Sequence, residues 1–437
     1  MVSNKSYAPI YIVDGREIDF GDLNLTDFAV DKVRLLECLL QGYVTPPNTI
    51  FSDLKTIAPL DKYEPEEDVY HYTLYPSPHS EQGYDFCLNT FESKLKDYWN
   101  KHFDKGEKVS ILFSGGKDST SLAYSLKMTR PDLKVKLFFL NNVDEYPRAQ
   151  VLAEKLGFEL VRVNVDFNDV LESFKNAVYG CGDLTFSDYY SLVKEASMWS
   201  PYILDGGGND SYSGYLQSKK DNFRIFTHKI LTRLFHNTSF ANKHLQYLAK
   251  PRFLLTSFLY HPSINHLILN KKVEEQYKKH IKNIDSVFSS ICDKDLKVNT
   301  RGRFFDNYQI YTKAISLPKF VPDFKVLFPF TDHFVASYIH GSSMKSKHNG
   351  NLNKTFLRNY LNQYVDYEVL DGGKQGMPSS YILFKSEIFN ELISIDDDFI
   401  NSNIDVMKNF ASFAYLTLSM HYFLSNNSKL KLQDVFL

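Results

Sequence analysis

Through the middle of the chain, short apolar runs alternate with amphipathic stretches, which predicts strands and helices in turn. Val109-Ser110-Ile111-Leu112-Phe113 is a continuous apolar strand. Asp118 to Met128 follows as a helix entered through a glycine pair. Leu133 to Leu140 alternates as a second strand, and Tyr146 to Leu156 is helical and ends at Gly157. Phe158 to Val165 makes a third strand, and after further helical stretches Tyr202-Ile203-Leu204 makes a fourth. Strands that alternate with helices predict an α/β fold, a parallel sheet covered on both faces.

The flanks differ. Residues from 1 to about 95 are acidic and mix strand-like runs such as Pro9–Val13 with a helix over Asp31–Gln41, a turn-rich Thr45–Thr49 and a linker-like 75–83. They predict a small N-terminal α+β lobe. Beyond 216 the pattern is mostly helical, with loops near 341–353 and 371–380. The predicted divisions are thus 1–95, 96–216 and 217–437. At 437 residues the chain exceeds one ordinary core.

Charge narrows the function classes. A net charge of −2 gives no overall sign of a nucleic-acid or membrane partner. One basic stretch, Gln217–His280, holds 12 Lys/Arg and 6 His against 3 Asp/Glu. It fits a solvated helical face, a surface docked on the acidic lobe, or a path for nucleic-acid phosphates. No run approaches the roughly 18 apolar residues of a membrane helix, and the start lacks a secretory apolar core. Cys38, Cys87, Cys181 and Cys292 form no CxxC pair. The expectation is a cytoplasmic protein with reduced thiols.

Candidate chemistry begins where the first central strand ends, at Ser114-Gly115-Gly116-Lys117-Asp118-Ser119-Thr120. Two glycines let backbone approach an anion closely. The free N–H groups and dipole of the following helix favour that anion. Ser114, Ser119 and Thr120 add hydroxyls. Asp118 would repel phosphates unless a cation lay between, which makes it a candidate Mg²⁺ ligand. The spacing is not that of a Walker A loop.

This segment resembles the PP-loop of the N-type ATP-pyrophosphatases, which cleave ATP between its α- and β-phosphates. Further segments are similar to the asparagine synthetase branch. Leu204-Asp205-Gly206-Gly207-Gly208-Asn209-Asp210-Ser211 looks like that family's second glycine loop, and the resemblance implies that Asp210 is a second magnesium ligand and that Gly206, Gly207 and Gly208 border the nucleotide. Asn141–Tyr146 resembles a loop lining the nucleotide pocket. Leu327–His333 resembles the family's PFLDH segment. Gly373-Lys374-Gln375-Gly376-Met377 resembles its lysine loop, which implies a catalytic role for Lys374. Leu36–Asp53 is similar to the end of the family's glutaminase domain.

Departures shape the expected activity. The family's glutaminase begins Met-Cys, whereas residue 2 is Val2, which implies no glutamine hydrolysis in this chain. The glutamates of the family's second loop are replaced by Gly207 and Ser211, and its charged E-x-R before PF becomes Lys325-Val326-Leu327. The resemblance therefore implies a ligase that uses ATP and Mg²⁺ to adenylate a small-molecule, sugar or peptide carboxylate other than aspartate. Ammonia or an amine would accept the acyl group, with a separate ammonia source open. A nucleic-acid base-modifying enzyme and an ATP-binding defence or regulatory protein stand as alternatives.

Overall fold

The computed structural model describes residues 10–18, 27–58, 61–72, 83–141, 146–176, 186–213, 223, 267–289, 324–349, 352–366, 369, 383–409 and 411–437.

The N-terminal lobe is α+β. Strands β1 (Ile10–Val13) and β2 (Arg16–Ile18) pair antiparallel across Asp14-Gly15, both at positive φ. Helix α1 (Lys32–Gln41) starts on Asp31, whose carboxylate accepts the N–H groups of Val33 and Arg34 at 2.9 and 3.0 Å. It stops at Gly42 in the left-handed region. β3 (Lys55–Ile57) adds to the other edge of β1, and β4 (Lys62–Glu64) with β5 (Val69–His71) forms a hairpin.

Helix α2 (Leu88–His102) buries Phe91, Leu95, Tyr98 and Trp99, the three- and four-residue spacing of one helical face. It runs through residue 95, so the boundary expected there falls inside one continuous element. The central sheet follows: β6 (Lys108–Leu112), α3 (Lys117–Thr129), β7 (Lys134–Leu140), α4 (Tyr146–Leu156) and β8 (Glu159–Val163). Then come α5 (Phe167–Asn176), α6 (Phe186–Trp199), β9 (Tyr202–Leu204) and the short α7 (Asn209–Ser213). The remaining described elements are α8 (Lys271–Ser289), β10 (Lys325–Leu327), α9 (His333–Gly341), α10 (Met344–Lys347), the β11 (His348–Asn349) and β12 (Leu352–Asn353) pair, and α11 (Thr355–Leu361). Helices α12 (Lys385–Ser394), α13 (Asp398–Ser402), α14 (Ile404–Asn409), α15 (Ala411–Asn427) and α16 (Leu432–Phe436) complete the chain.

The five-stranded sheet has the order β10-β9-β6-β7-β8, and every neighbouring pair is parallel. β6, β7, β9 and β10 bury most of their residues, while the edge strand β8 buries only Val163, and the helices between strands in sequence supply the crossovers a parallel sheet requires. The four expected strands are present. The fifth, β10, lies in a segment read as helical, since three residues show no period. Successive strands run one way from β6 to β8, while β9 and β10 lie on the other side of β6. Such a reversal opens a crevice at the carboxyl ends of the strands, where open α/β sheets bind ligands.

One hydrophobic cluster extends from Tyr11 to Phe436. The N-terminal lobe joins it through Phe51, whose ring lies 6.3 Å from Phe423 on α15. Glu37 on α1 is fully buried. It accepts the N–H and hydroxyl of Thr45 at 3.1 and 2.7 Å and faces His280 Nε2 on α8 at 2.9 Å. No helix among the described residues is long and apolar enough to cross a membrane.

Lys347, at the end of α10, is also fully buried and reaches the carbonyl of His340 at 2.8 Å. Burial pushes its amine down to about 7. Between that value and its ordinary one, the unfolded chain binds a proton that the native chain does not, so stability rises with pH there. In thermal melts taken from pH 7 to 10, Lys347→Met is expected to flatten that rise. An equal pH slope in both proteins would contradict this burial.

Candidate active site

The two glycine loops leave neighbouring strands at the same end of the sheet, because β6 and β9 are hydrogen-bonded partners. After β6 the backbone turns at Gly115 (φ +67) and enters α3 at Gly116. A Cβ on Gly115 would stand 3.2 Å from the Cα of Ala149 on α4. Loop hydroxyls hold the turn: Ser114 Oγ accepts the Gly116 N–H at 3.2 Å, and Ser119 Oγ accepts the Ser114 N–H at 3.3 Å. Thr120 is buried, and its hydroxyl has no hydrogen-bond partner among the described residues.

After β9, the Asp205 N–H continues the sheet onto the carbonyl of Leu327 at 3.0 Å, and its carboxylate accepts the Gly207 N–H at 2.7 Å. Gly208 takes φ +93 and α7 begins. Gly206 is where the loops touch: a Cβ there would come within 2.9 Å of the Ser119 nitrogen and 3.1 Å of the Asp118 carbonyl carbon.

This close approach brings the carboxylates together around a lysine. Lys354 Nζ lies 2.5 Å from Asp118 Oδ2 and 2.7 Å from Asp210 Oδ1. The other oxygen of Asp118 accepts the Asn209 side-chain amide at 2.6 Å. Asn209 in turn accepts the Ser213 hydroxyl at 2.8 Å. Three distant stretches of sequence therefore meet at one point.

Lys354 occupies an unfavourable place. It precedes α11 at φ +54, the left-handed region that costs a side-chain-bearing residue about 1–2 kcal/mol. A cation there also faces the positive end of a helix dipole. Burial favours its neutral amine, but the carboxylates of Asp118 and Asp210 outweigh burial and hold the ammonium's pKa above its ordinary range. The segment before it is anchored: β11 and β12 pair, and His348 Nε2 meets the carbonyl of Ser213 on α7 at 3.0 Å.

The structure thus gathers the sequence candidates Ser114, Gly115, Gly116, Asp118, Ser119, Thr120, Gly206, Gly207, Gly208 and Asp210 around one crevice. Lys374 and residues 142–145 lie outside the described residues. Sequence reasoning missed Lys354 and Asn209. Lys354's one signal was a lysine placed just before a helix, against the dipole. Asn209 sat unassigned between Gly208 and Asp210. Asp332 of the PFTDH segment is 4% exposed and caps α9, accepting the N–H groups of Phe334 and Val335 at 2.9 and 3.4 Å.

The residues fit a polyphosphate with a divalent cation. The N–H groups at the start of α3 and the buried Thr120 hydroxyl suit phosphate oxygens. The carboxylates already converge on a cation at distances only a little longer than the ~2.1 Å of Mg²⁺ coordination. Among the described residues no group of three or more His, Cys, Asp or Glu could hold a metal. Phosphate oxygens and water would fill the coordination around Asp118 and Asp210, as is usual for Mg²⁺ in nucleotide sites.

Residues 90–288 match the model of the asparagine synthase family. No curated protein sequence matches the chain. Among solved structures, it is similar to an NMN synthetase from Francisella tularensis at 17% identity and a TM-score of 0.26, covering 52% of this chain and 97% of that one. A U34-tRNA thiolase from Methanococcus maripaludis is similar at 18% identity and a TM-score of 0.23, covering 50% and 79% of the two chains.

Gly206→Ala places a methyl group against the first loop. The loops must part, so affinity for a fluorescent ATP analogue is expected to fall roughly tenfold or more, while the melting temperature drops only by the few degrees that local overpacking costs. Unchanged affinity would contradict the contact between the loops.

Proposed function

We propose that this chain is an ATP-dependent amide-forming ligase that adenylates a substrate carboxylate and releases pyrophosphate. The carrying observation is the convergence of Asp118, Asp210 and Lys354 where the two glycine loops meet. A site that receives triphosphate needs fixed positive charge and anchored carboxylates for Mg²⁺ at one place.

The steps follow from that geometry. ATP lies along the Ser114–Thr120 loop with its outer phosphates toward Asp118 and Asp210. A carboxylate oxygen of the substrate attacks the α-phosphorus, and the bond from that phosphorus to the bridging oxygen breaks. Asp118 and Asp210 would hold a divalent cation, which would supply charge neutralisation for the departing pyrophosphate, and Lys354 would add positive charge there. An amine nitrogen then attacks the acyl carbon, loses a proton and expels AMP, leaving the amide. Orientation and charge stabilisation supply most of the acceleration. Lys374 is proposed to act at the α-phosphate or at the tetrahedral intermediate.

One feature supports a carboxylate substrate other than aspartate. The position of the family's first loop glutamate is Gly207, whose N–H is committed to Asp205. The substrate classes proposed are a small-molecule, sugar or peptide carboxylate with ammonia or a substrate amine.

Pyrophosphate release from Mg·ATP, measured across a panel of carboxylic acids with ammonium or amines, tests the assignment. Asp118→Ala and Asp210→Ala are each expected to lose on the order of a hundredfold or more in rate. Undiminished turnover in both would refute the assignment of these carboxylates.

A further inference from the structure

The position of Lys354 has a consequence for how the site is loaded. Its ammonium sits between the oxygens that would hold the divalent ion, 2.5 Å from one and 2.7 Å from the other. The lysine side chain is 6% exposed, and those of Asp118 and Asp210 are 17% and 40% exposed. A metal ion and this ammonium cannot share that space, and within a few ångströms they would repel strongly in a partly buried site.

We infer that Lys354 is a resident counter-ion that closes the carboxylate pair against free divalent metal and yields it only when a polyphosphate arrives to take the ammonium. The inference rests on the metal–ATP reading above and adds a coupling to it. Without ligand, one ammonium offsets one of the two carboxylate charges, which keeps Asp118 and Asp210 from repelling each other. Metal entry alone would expel that ammonium from both of its carboxylate partners. Metal entry with a polyphosphate provides one, because the phosphate oxygens carry the negative charge that the carboxylates give up. Metal and nucleotide therefore bind as a linked pair, and linkage makes each raise the affinity of the other.

Other features of the cluster suit such an exchange. Asn209 fixes the far oxygen of Asp118 at 2.6 Å, so the carboxylate keeps its orientation when Lys354 leaves. Lys354 stands at φ +54 between β12 and α11, a strained seat that the two ion pairs compensate.

The test is direct binding of Mn²⁺, followed by electron paramagnetic resonance in the absence of nucleotide. Lys354→Gln is expected to bind free Mn²⁺ about tenfold or more tightly than the wild type, within the usual range of coupling between sites. Lys354→Arg, which retains a cation, is expected to remain weak. Circular dichroism confirms that each variant is folded. Equal or weaker Mn²⁺ binding by folded Lys354→Gln overturns the inference.

A second measurement needs no variant beyond resonance assignment. The ¹⁵N ammonium signal of Lys354 should be present in the free wild-type protein, stay in place with Mg²⁺ alone, and move with Mg²⁺ plus α,β-methylene-ATP. A signal that moves with Mg²⁺ alone overturns the inference. Failure of the underlying reading looks different. In that case wild-type protein binds no Mn²⁺·α,β-methylene-ATP, and Asp118→Asn leaves Mn²⁺ binding unchanged.

Discussion

One ammonium between two carboxylates is the constraint on which this structure turns. Lys354 belongs to the second half of the chain, Asp118 to the first turn of α3 after β6, and Asp210 to the short α7 after β9. Burying the Lys354 ammonium without a counter-charge would cost several kcal/mol. It is tolerable only beside the carboxylates, so the sheet, the two glycine turns and the β11–β12 pair must all place the three groups at one point. The parallel pairing of β6 with β9 puts the two turns side by side. The missing side chain at Gly206 lets one turn rest on the backbone of the other.

The same placement explains why the site suits a charged, multivalent ligand. A lone carboxylate beside a phosphate loop would oppose binding, whereas two carboxylates with a movable cation can rearrange around metal and phosphate. Asn209 has a separate part: its amide occupies one oxygen of Asp118 and leaves the other for the cation. His348 ties α7 to the segment that ends at Lys354, so the second loop and the lysine share one support.

Much of this was legible in the sequence. The strands from β6 to β9 stand out because buried parallel strands are short apolar runs between amphipathic helices, and α4 and β9 have the bounds that pattern predicts. The first loop is legible because glycine pairs after such a strand have few other uses. β10 was not legible, since Lys325-Val326-Leu327 is too short for a period and joins the sheet only by pairing with β9. Lys354 was hidden for a different reason. Its partner Asp118 lies 236 residues away and Asp210, though nearer, is also remote in sequence, and no local pattern encodes contacts of that range. The boundary placed at 95 fell within α2 because composition changes there while the helical face of Phe91, Leu95, Tyr98 and Trp99 continues.

The central claim is that the Asp118–Lys354–Asp210 cluster is the seat of metal and polyphosphate. A crystal structure with Mn²⁺ and α,β-methylene-ATP tests it most directly, because the anomalous signal locates the metal without reference to activity. The account predicts a manganese peak between Asp118 and Asp210, touching phosphate oxygens, with Lys354 Nζ drawn away from both carboxylates onto the phosphates. A nucleotide bound elsewhere, with the lysine still seated between the two carboxylates, would contradict it.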